Sequence, residues 1–190
     1  MTIVELKEQV LNCRRCKLRD GCKQVVFGEG SPDADIMFIG EAPGKTEDET
    51  GKMFVGAAGK VLDELLAMID LKRSDVFITN LVKCRPGGNR DPKNEEIEKC
   101  SVWLENQLKL ISPKFIIPLG RFAMNYFLPG IKISKVHGRY RYMDDRVYFT
   151  MYHPAVALYR PELKECMIKD FKILGNLLSG EIPIIKKINC

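Results

Sequence analysis

Apolar residues in this chain fall in short dense runs, separated by stretches where they recur every three or four positions. That alternation predicts strands between helices. D-I-M-F-I-G (35–40), V-F-I-T-N-L-V (76–82) and K-F-I-I-P-L-G (114–120) are nearly continuous apolar runs, the pattern of buried parallel strands. R-Y-R-Y-M-D-D-R-V-Y-F-T-M-Y (139–152) predicts a hairpin turning at Asp144-Asp145, with its second arm ending at His153-Pro154. Residues 2–11 place Ile3, Leu6, Val10 and Leu11 roughly on one helical face. Further helices are predicted over 60–69, over 92–110 with Pro92 in the first turn, after 120, and over 162–178. The stretch from Gly40 to Gly59 reads as a glycine-rich loop, R-P-G-G-N-R-D-P as a second loop, and about 180–190 as a peripheral tail. Strands alternating with helices predict an α/β fold whose mostly parallel sheet is covered on both faces.

Composition narrows the class. A length of 190 residues suits one domain with a sizeable core. With no apolar run of membrane-spanning length and an amphipathic N-terminus, the chain is expected to be neither secreted nor membrane-spanning. Seven cysteines (13, 16, 22, 84, 100, 166 and 190) then imply a reducing, cytoplasmic setting, where thiols more often bind metal than form disulfides. The net charge of +5 permits a polyanionic partner without demanding one. Abundant Lys and Glu, with Gln only at 9, 24 and 107, lean toward a thermophilic host.

In a parallel α/β sheet, ligands sit outside the carboxyl ends of the strands. Three predicted ends carry polar residues: Glu41 in G-E-A-P-G, Asn80 in T-N, and His153 before Pro154. Phe54, in K-M-F-V-G-A-A-G, adds a candidate aromatic floor. Each has an ordinary explanation alone: a turn, a capped loop, a core ring, a satisfied histidine. His137, in K-V-H-G-R, keeps that ordinary explanation. The glycines are not a phosphate loop, since no G-K-[ST] follows at the needed spacing. Together, at separate strand ends, the polar residues suggest one pocket. Cys13 and Cys16 form C-x-x-C, and Cys84 and Cys100 lie far downstream. That pattern suggests a four-thiolate centre clipping residues 1–25 to the core, and spacing leaves zinc and iron–sulfur both open.

From Cys13 to about Pro161 the chain resembles the iron–sulfur uracil-DNA glycosylases called family 4. The resemblance rests on G-E-A-P-G (40–44), G-K-M-F-V-G-A-A-G (51–59), T-N-L-V-K-C-R-P (79–86) and H-P-A (153–155), in the family's order, with the matching cysteine pattern. It implies a three-layer α/β/α domain over residues 1–190 with a central, mainly parallel four-stranded sheet. It also implies a monofunctional hydrolase that starts base-excision repair in a prokaryote, archaeal among the options, and acts as a monomer on uracil in single- or double-stranded DNA without a dissociable cofactor. Phe54 matches the stacking residue, Asn80 the base reader, and Glu47 a residue near uracil C5 that excludes the thymine methyl. His153 matches the leaving-group residue. Glu41, with the Ala42 carbonyl, matches the group handling the attacking water. The resemblance favours a structural [4Fe–4S] cluster on Cys13, Cys16, Cys84 and Cys100, with Cys22, Cys166 and Cys190 as non-ligands.

DNA contacts fall to Leu158 as the wedge that fills the gap left by a flipped base, and to Arg160 and Arg85. Here the chain departs from the family. Ala157-Leu158-Tyr159 stands where Leu-Leu-Arg is common, with Arg160 one place later, and Met53 stands where proline is common. Most other basic residues, including Arg90, Lys93, Lys135, Arg139 and Arg141, read as solvated surface. Two alternatives remain at this level: a catalytically silent uracil- or DNA-recognition relative, and a metal-stabilised nucleic-acid-binding module.

Overall fold

The computed structural model describes residues 1–185, so Cys190 and the end of the tail lie outside it. Among the described residues six strands form one sheet: β1 (Glu29–Gly30), β2 (Ile36–Gly40), β3 (Phe77–Asn80), β4 (Phe115–Pro118), β5 (Arg139–Met143) and β6 (Arg146–Thr150). The helices described are α1 (Ile3–Leu11), α2 (Leu18–Gly21), α3 (Lys45–Thr50), α4 (Ala57–Ala67), α5 (Asn94–Ile111), α6 (Gly120–Phe127), α7 (Ile133–Val136), α8 (Val156–Tyr159) and α9 (Glu162–Leu178). The sheet order is β1-β3-β2-β4-β6-β5. The four inner strands run parallel, and β1 and β5 add antiparallel edges. The expected four-stranded sheet is therefore six-stranded. β1 has only two exposed residues and no apolar pattern to announce it, and β5 is the outer arm of the expected hairpin. Asp144 and Asp145 both adopt positive φ at its turn (49° and 58°), as a tight primed turn requires.

Alternation along the inner strands sends side chains to two cores. Met37, Ile39, Phe77, Ile116 and Tyr148 join Leu6, Val10, Leu104 and Leu108 on one side. Phe38, Ile78, Ile117 and Phe149 join Leu62, Leu65, Phe171 and Leu174 on the other. The layers are thus α1, α5 and α6, then the sheet, then α4 and α9. Each fully buried Phe or Leu on these faces contributes about 1.5–3 kcal/mol relative to exposure. Among the described residues no helix is long and apolar enough to cross a membrane.

Helix boundaries differ from expectation where side chains from elsewhere cap them. α4 begins at Ala57 rather than 60, because Glu47 Oε1 accepts the Gly56 N–H at 2.7 Å. α5 begins at Asn94 rather than 92: Lys93 is the N-cap, and Glu96 accepts its N–H at 2.8 Å. The supposed loop from Gly40 to Gly59 contains α3, which carries Glu47.

Candidate active site

The carboxyl ends of β2, β3 and β6 open on one cavity of ≈ 360 Å³ whose walls include Glu41, Glu47, Phe54, Asn80, His153 and Leu158. That volume suits one small ligand. All the expected catalytic and base-binding residues, Ala42 included, line it.

Asn80 ends β3 in register with Gly40 of β2. A Cβ on Gly40 would collide with Asn80 Oδ1, so the glycine is what lets the amide lie against the neighbouring strand end. The amide is only weakly held: Nδ2 reaches Met53 Sδ at 3.7 Å, and the buried Oδ1 has no partner. A buried, unpaired amide oxygen costs roughly 1–3 kcal/mol, which a ligand donor at that point would recover. Met53, which stands where proline is common in the family, thus touches the candidate base reader.

Phe54 forms the floor from a left-handed backbone, φ 50°, a conformation costing a non-glycine residue about 1–2 kcal/mol. Its surroundings enforce it. The Arg73 guanidinium donates to the carbonyls of Met53 (2.7 Å) and Phe54 while pairing with Asp63 at 2.6 Å. Gly59 leaves room for the Phe54 carbonyl, where any Cβ would clash. The Phe54 ring stacks on the His153 imidazole, centroids 5.5 Å apart.

His153 is held neutral: burial pushes its pKa down to about 4, against a weaker opposing pull from Glu47. Its Nδ1 accepts the Ala155 N–H at 3.2 Å, which leaves the proton on Nε2. Glu41 moves the other way. Burial first, and then nearby Asp91, raise its carboxyl to about 7, with Arg121 opposing. Asp91 and Arg121 are themselves paired at 2.5 Å. Burial thus shifts two acid–base groups of one cavity in opposite directions, each toward its neutral form, a mark of functional sites.

A second cavity lies on the far side of the β3 exit. Cys13, Cys16, Cys84 and Cys100 all line it, with Arg15, Arg19, Lys83 and Lys99, and no carboxylate is among its lining residues. Trp103 Nε1–H donates to Cys13 Sγ at 3.1 Å. Burial raises the Cys100 thiol to about 11 and also raises Cys16; a hydrogen bond with Cys22, then burial, raises Cys84. Four soft sulfur donors fit an anionic iron–sulfur–thiolate group, and buried Arg19 Nε, which has no partner, leaves a donor on the cavity wall for an anion. Among the described residues no three His, Cys, Asp or Glu side chains are gathered as a single metal ion requires. Cys22 lies outside the lining but touches it, bonded to the Cys84 thiol as well as to Arg19, and Cys166 sits apart on α9.

The sequence itself carries relatives. Residues 27–173 match the uracil DNA glycosylase superfamily. The chain is 44% identical over 190 residues to the Type-4 uracil-DNA glycosylase of Archaeoglobus fulgidus, covering 95% of this chain and 96% of that one. It is 44% identical over 186 residues to the Sulfurisphaera tokodaii Type-4 enzyme (93% and 84% covered) and 39% identical over 181 to that of Thermotoga maritima (93% and 94%). This chain belongs to the type-4 uracil-DNA glycosylases.

Within that family frame, the expected DNA-binding residues separate. Leu158 is 44% exposed at the pocket mouth, beside Tyr159 at 82%. Arg160 and Arg85 do not line the pocket: Arg160 pairs with Glu162 at 3.1 Å, and Arg85 donates to Asn89 Oδ1 at 2.7 Å. His137 lies outside the pocket, 2.9 Å from Asp170 and tilted against the Tyr152 ring. Sequence reasoning missed Arg73, Gln107 and Trp103, which act through contacts distant in sequence. It also missed Lys83, which stands inside T-N-L-V-K-C-R-P and bonds Asn80 and Thr79, three and four residues before it, as well as distant Gln107. Asn89 and Arg90, at the mouth, were legible only as loop residues.

Proposed function

We propose that this protein excises uracil from DNA by hydrolysing the N-glycosidic bond, leaving an abasic site as the first step of base-excision repair. The observation that carries this reading is the unpaired Oδ1 of buried Asn80 in a cavity shared with neutral His153 and Glu41.

Uracil in a duplex is unreachable, so the nucleotide flips into the pocket at a cost of a few kcal/mol. Phe54 supports the base by its face. The Asn80 amide accepts from N3–H and donates to O4, a pairing that cytosine reverses and so rejects. Glu47, fixed by its bond to Gly56, stands beside C5 and excludes a methyl group. As the bond stretches, Nε2–H of neutral His153 donates to uracil O2, strengthening as charge develops. Glu41 in its ionised form, with the Ala42 carbonyl, orients the attacking water and favours the cationic sugar. Leu158 fills the vacated stack, and Arg160 and Arg85 contact phosphates by exchanging their present side-chain partners. The protein works as a monomer.

Cys13, Cys16, Cys84 and Cys100 would hold a [4Fe–4S] cluster. The group would supply a cross-link between the N-terminal segment and the β3 exit, and no step of the hydrolysis passes through it. Four thiols in one cavity and the family resemblance support this reading; zinc also binds four thiolates, and metal analysis with visible absorption separates the two. The Lys- and Glu-rich, Gln-poor composition fits a hot-growing prokaryotic host.

Incubation with a uracil-containing oligonucleotide, without added metal, tests the activity. Abasic sites in single-stranded and U·G substrates, but none in T·G, are the expected result. Tight binding without any abasic product would identify a recognition protein and sink the catalytic reading.

A further inference from the structure

Lys83 is among the largest fully buried side chains of the protein, 1% exposed. Its ammonium donates to Thr79 Oγ1 (2.6 Å), Gln107 Oε1 (2.7 Å) and the backbone carbonyl of Asn80 (2.8 Å). These bonds use all three donors of the group. The same side chain lines the cysteine cavity, one residue before Cys84. It therefore stands between the two cavities and touches a backbone atom of the base reader.

A buried ammonium is a costly way to fill space, since an apolar side chain of like volume needs no desolvation. What it does here follows from how Asn80 is held. The amide has only a long contact to a thioether, and its oxygen has no partner. Its direction is therefore set by its backbone. On one side that backbone is fixed by β2, in register with Gly40 and followed by the Leu81 N–H bond to the Gly40 carbonyl at 3.0 Å. On the other it is fixed by Lys83. Gln107 anchors the ammonium to α5, the helix that carries Cys100, and Gln107 Nε2 and Thr79 Oγ1 both donate to the Phe27 carbonyl.

We infer that Lys83 is a positioning residue for base discrimination: it locks the Asn80 peptide to α5 and to the wall of the cysteine cavity, so that the cluster-bearing frame aims the amide at the base. This rests on Asn80 reading uracil and on the cysteine cavity seating the cluster. It adds a coupling device between them that neither requires.

The test uses the anaerobically purified holoprotein and two variants, Lys83→Met and Lys83→Met/Gln107→Met. The single variant strands the Gln107 oxygen. The double one removes acceptor with donor, and Thr79 still donates to the Phe27 carbonyl; far-UV circular dichroism identifies which variant is folded. Visible absorption per protein reports cluster loading, while KM, kcat and cytosine release are measured on single-stranded oligonucleotides. The expected result in the cluster-loaded variant is a kcat lower by about tenfold or more, with KM within about threefold and a reduced preference for uracil over cytosine. Parental kcat and discrimination in a folded, cluster-loaded variant would overturn the inference. Loss of absorption with discrimination intact would overturn it too. If the parent protein itself releases no uracil, the functional reading fails first and takes this one with it; an active parent with unaltered variants removes Lys83 alone.

Discussion

The base pocket and the cysteine cavity flank one five-residue stretch, Asn80 to Cys84, yet they hold opposite polar groups in reserve, a free acceptor in one and a free donor in the other. The cysteine cavity is lined by four thiols, one of which accepts the Trp103 indole N–H, and buried Arg19 Nε on its wall is a donor without a partner. The base pocket is left incomplete. It holds an unpaired amide oxygen, an imidazole kept neutral, a carboxyl raised to about 7 and a strained aromatic floor. An anionic group bound in the cysteine cavity would take up the donor that Arg19 Nε leaves free. A ligand that comes and goes requires polar capacity held in reserve, and the rest of the fold carries the cost of that reserve.

The largest effect expected lies in the pocket. His153→Ala should lower kcat by about 10²–10³ while DNA affinity barely changes, because the lost bond matters most at the transition state. Asn80→Asp should admit cytosine. Single-turnover cleavage and binding titrations check both, and parental rates in both variants would break the site assignment. Next comes Glu41. With its carboxyl raised to about 7, the group is mostly protonated below that pH, so kcat should rise as pH rises through about 7. Asp91→Asn, removing a neighbour that raises it, should move that limb to lower pH; a pH–rate profile unchanged in Glu41→Gln would refute the role.

The cysteine cavity should respond in stability before chemistry. Cys84→Ala is expected to cost about 3–5 kcal/mol, as loss of a cross-link does, with a Tm lower by about 10 °C and no visible absorption. A folded, fully active, cluster-free variant would dissolve the contrast between the two regions. A smaller change is expected for Arg73→Met, which frees the carbonyls holding Phe54. Stability should fall by about 1–3 kcal/mol, and kcat/KM by roughly tenfold, as the floor relaxes toward an unstrained backbone. Smallest is Leu158→Ala, at a few-fold in kcat/KM on duplex and less on single strands. Equal loss on both would mean that Leu158 is not a wedge.

The two regions also differed in how readily they could be read. Glu41, Asn80 and His153 follow apolar runs that predict strands, and in a parallel sheet strand ends converge, so their meeting was legible. The same holds for the two-sided core, which follows from unbroken apolar strands. α3 was hidden because K-T-E-D-E-T has no apolar face to display; its Glu47 is held by a bond to Gly56 nine residues away. β1 was hidden for the like reason that two exposed residues carry no pattern.

By itself, then, the sequence determined the α/β order, the inner strands, the family motifs and the four cysteines, because local periodicity and residue type specify these. Only the tertiary structure decided that His153 is neutral with its proton on Nε2, that Glu41 titrates near 7, and that the Asn80 oxygen lacks a partner. It alone joined Arg73 to Phe54 and Lys83 to both cavities. The reason is physical. Protonation, strain and polar satisfaction depend on burial and on neighbours brought together across the fold, and neither is written in the residues on either side.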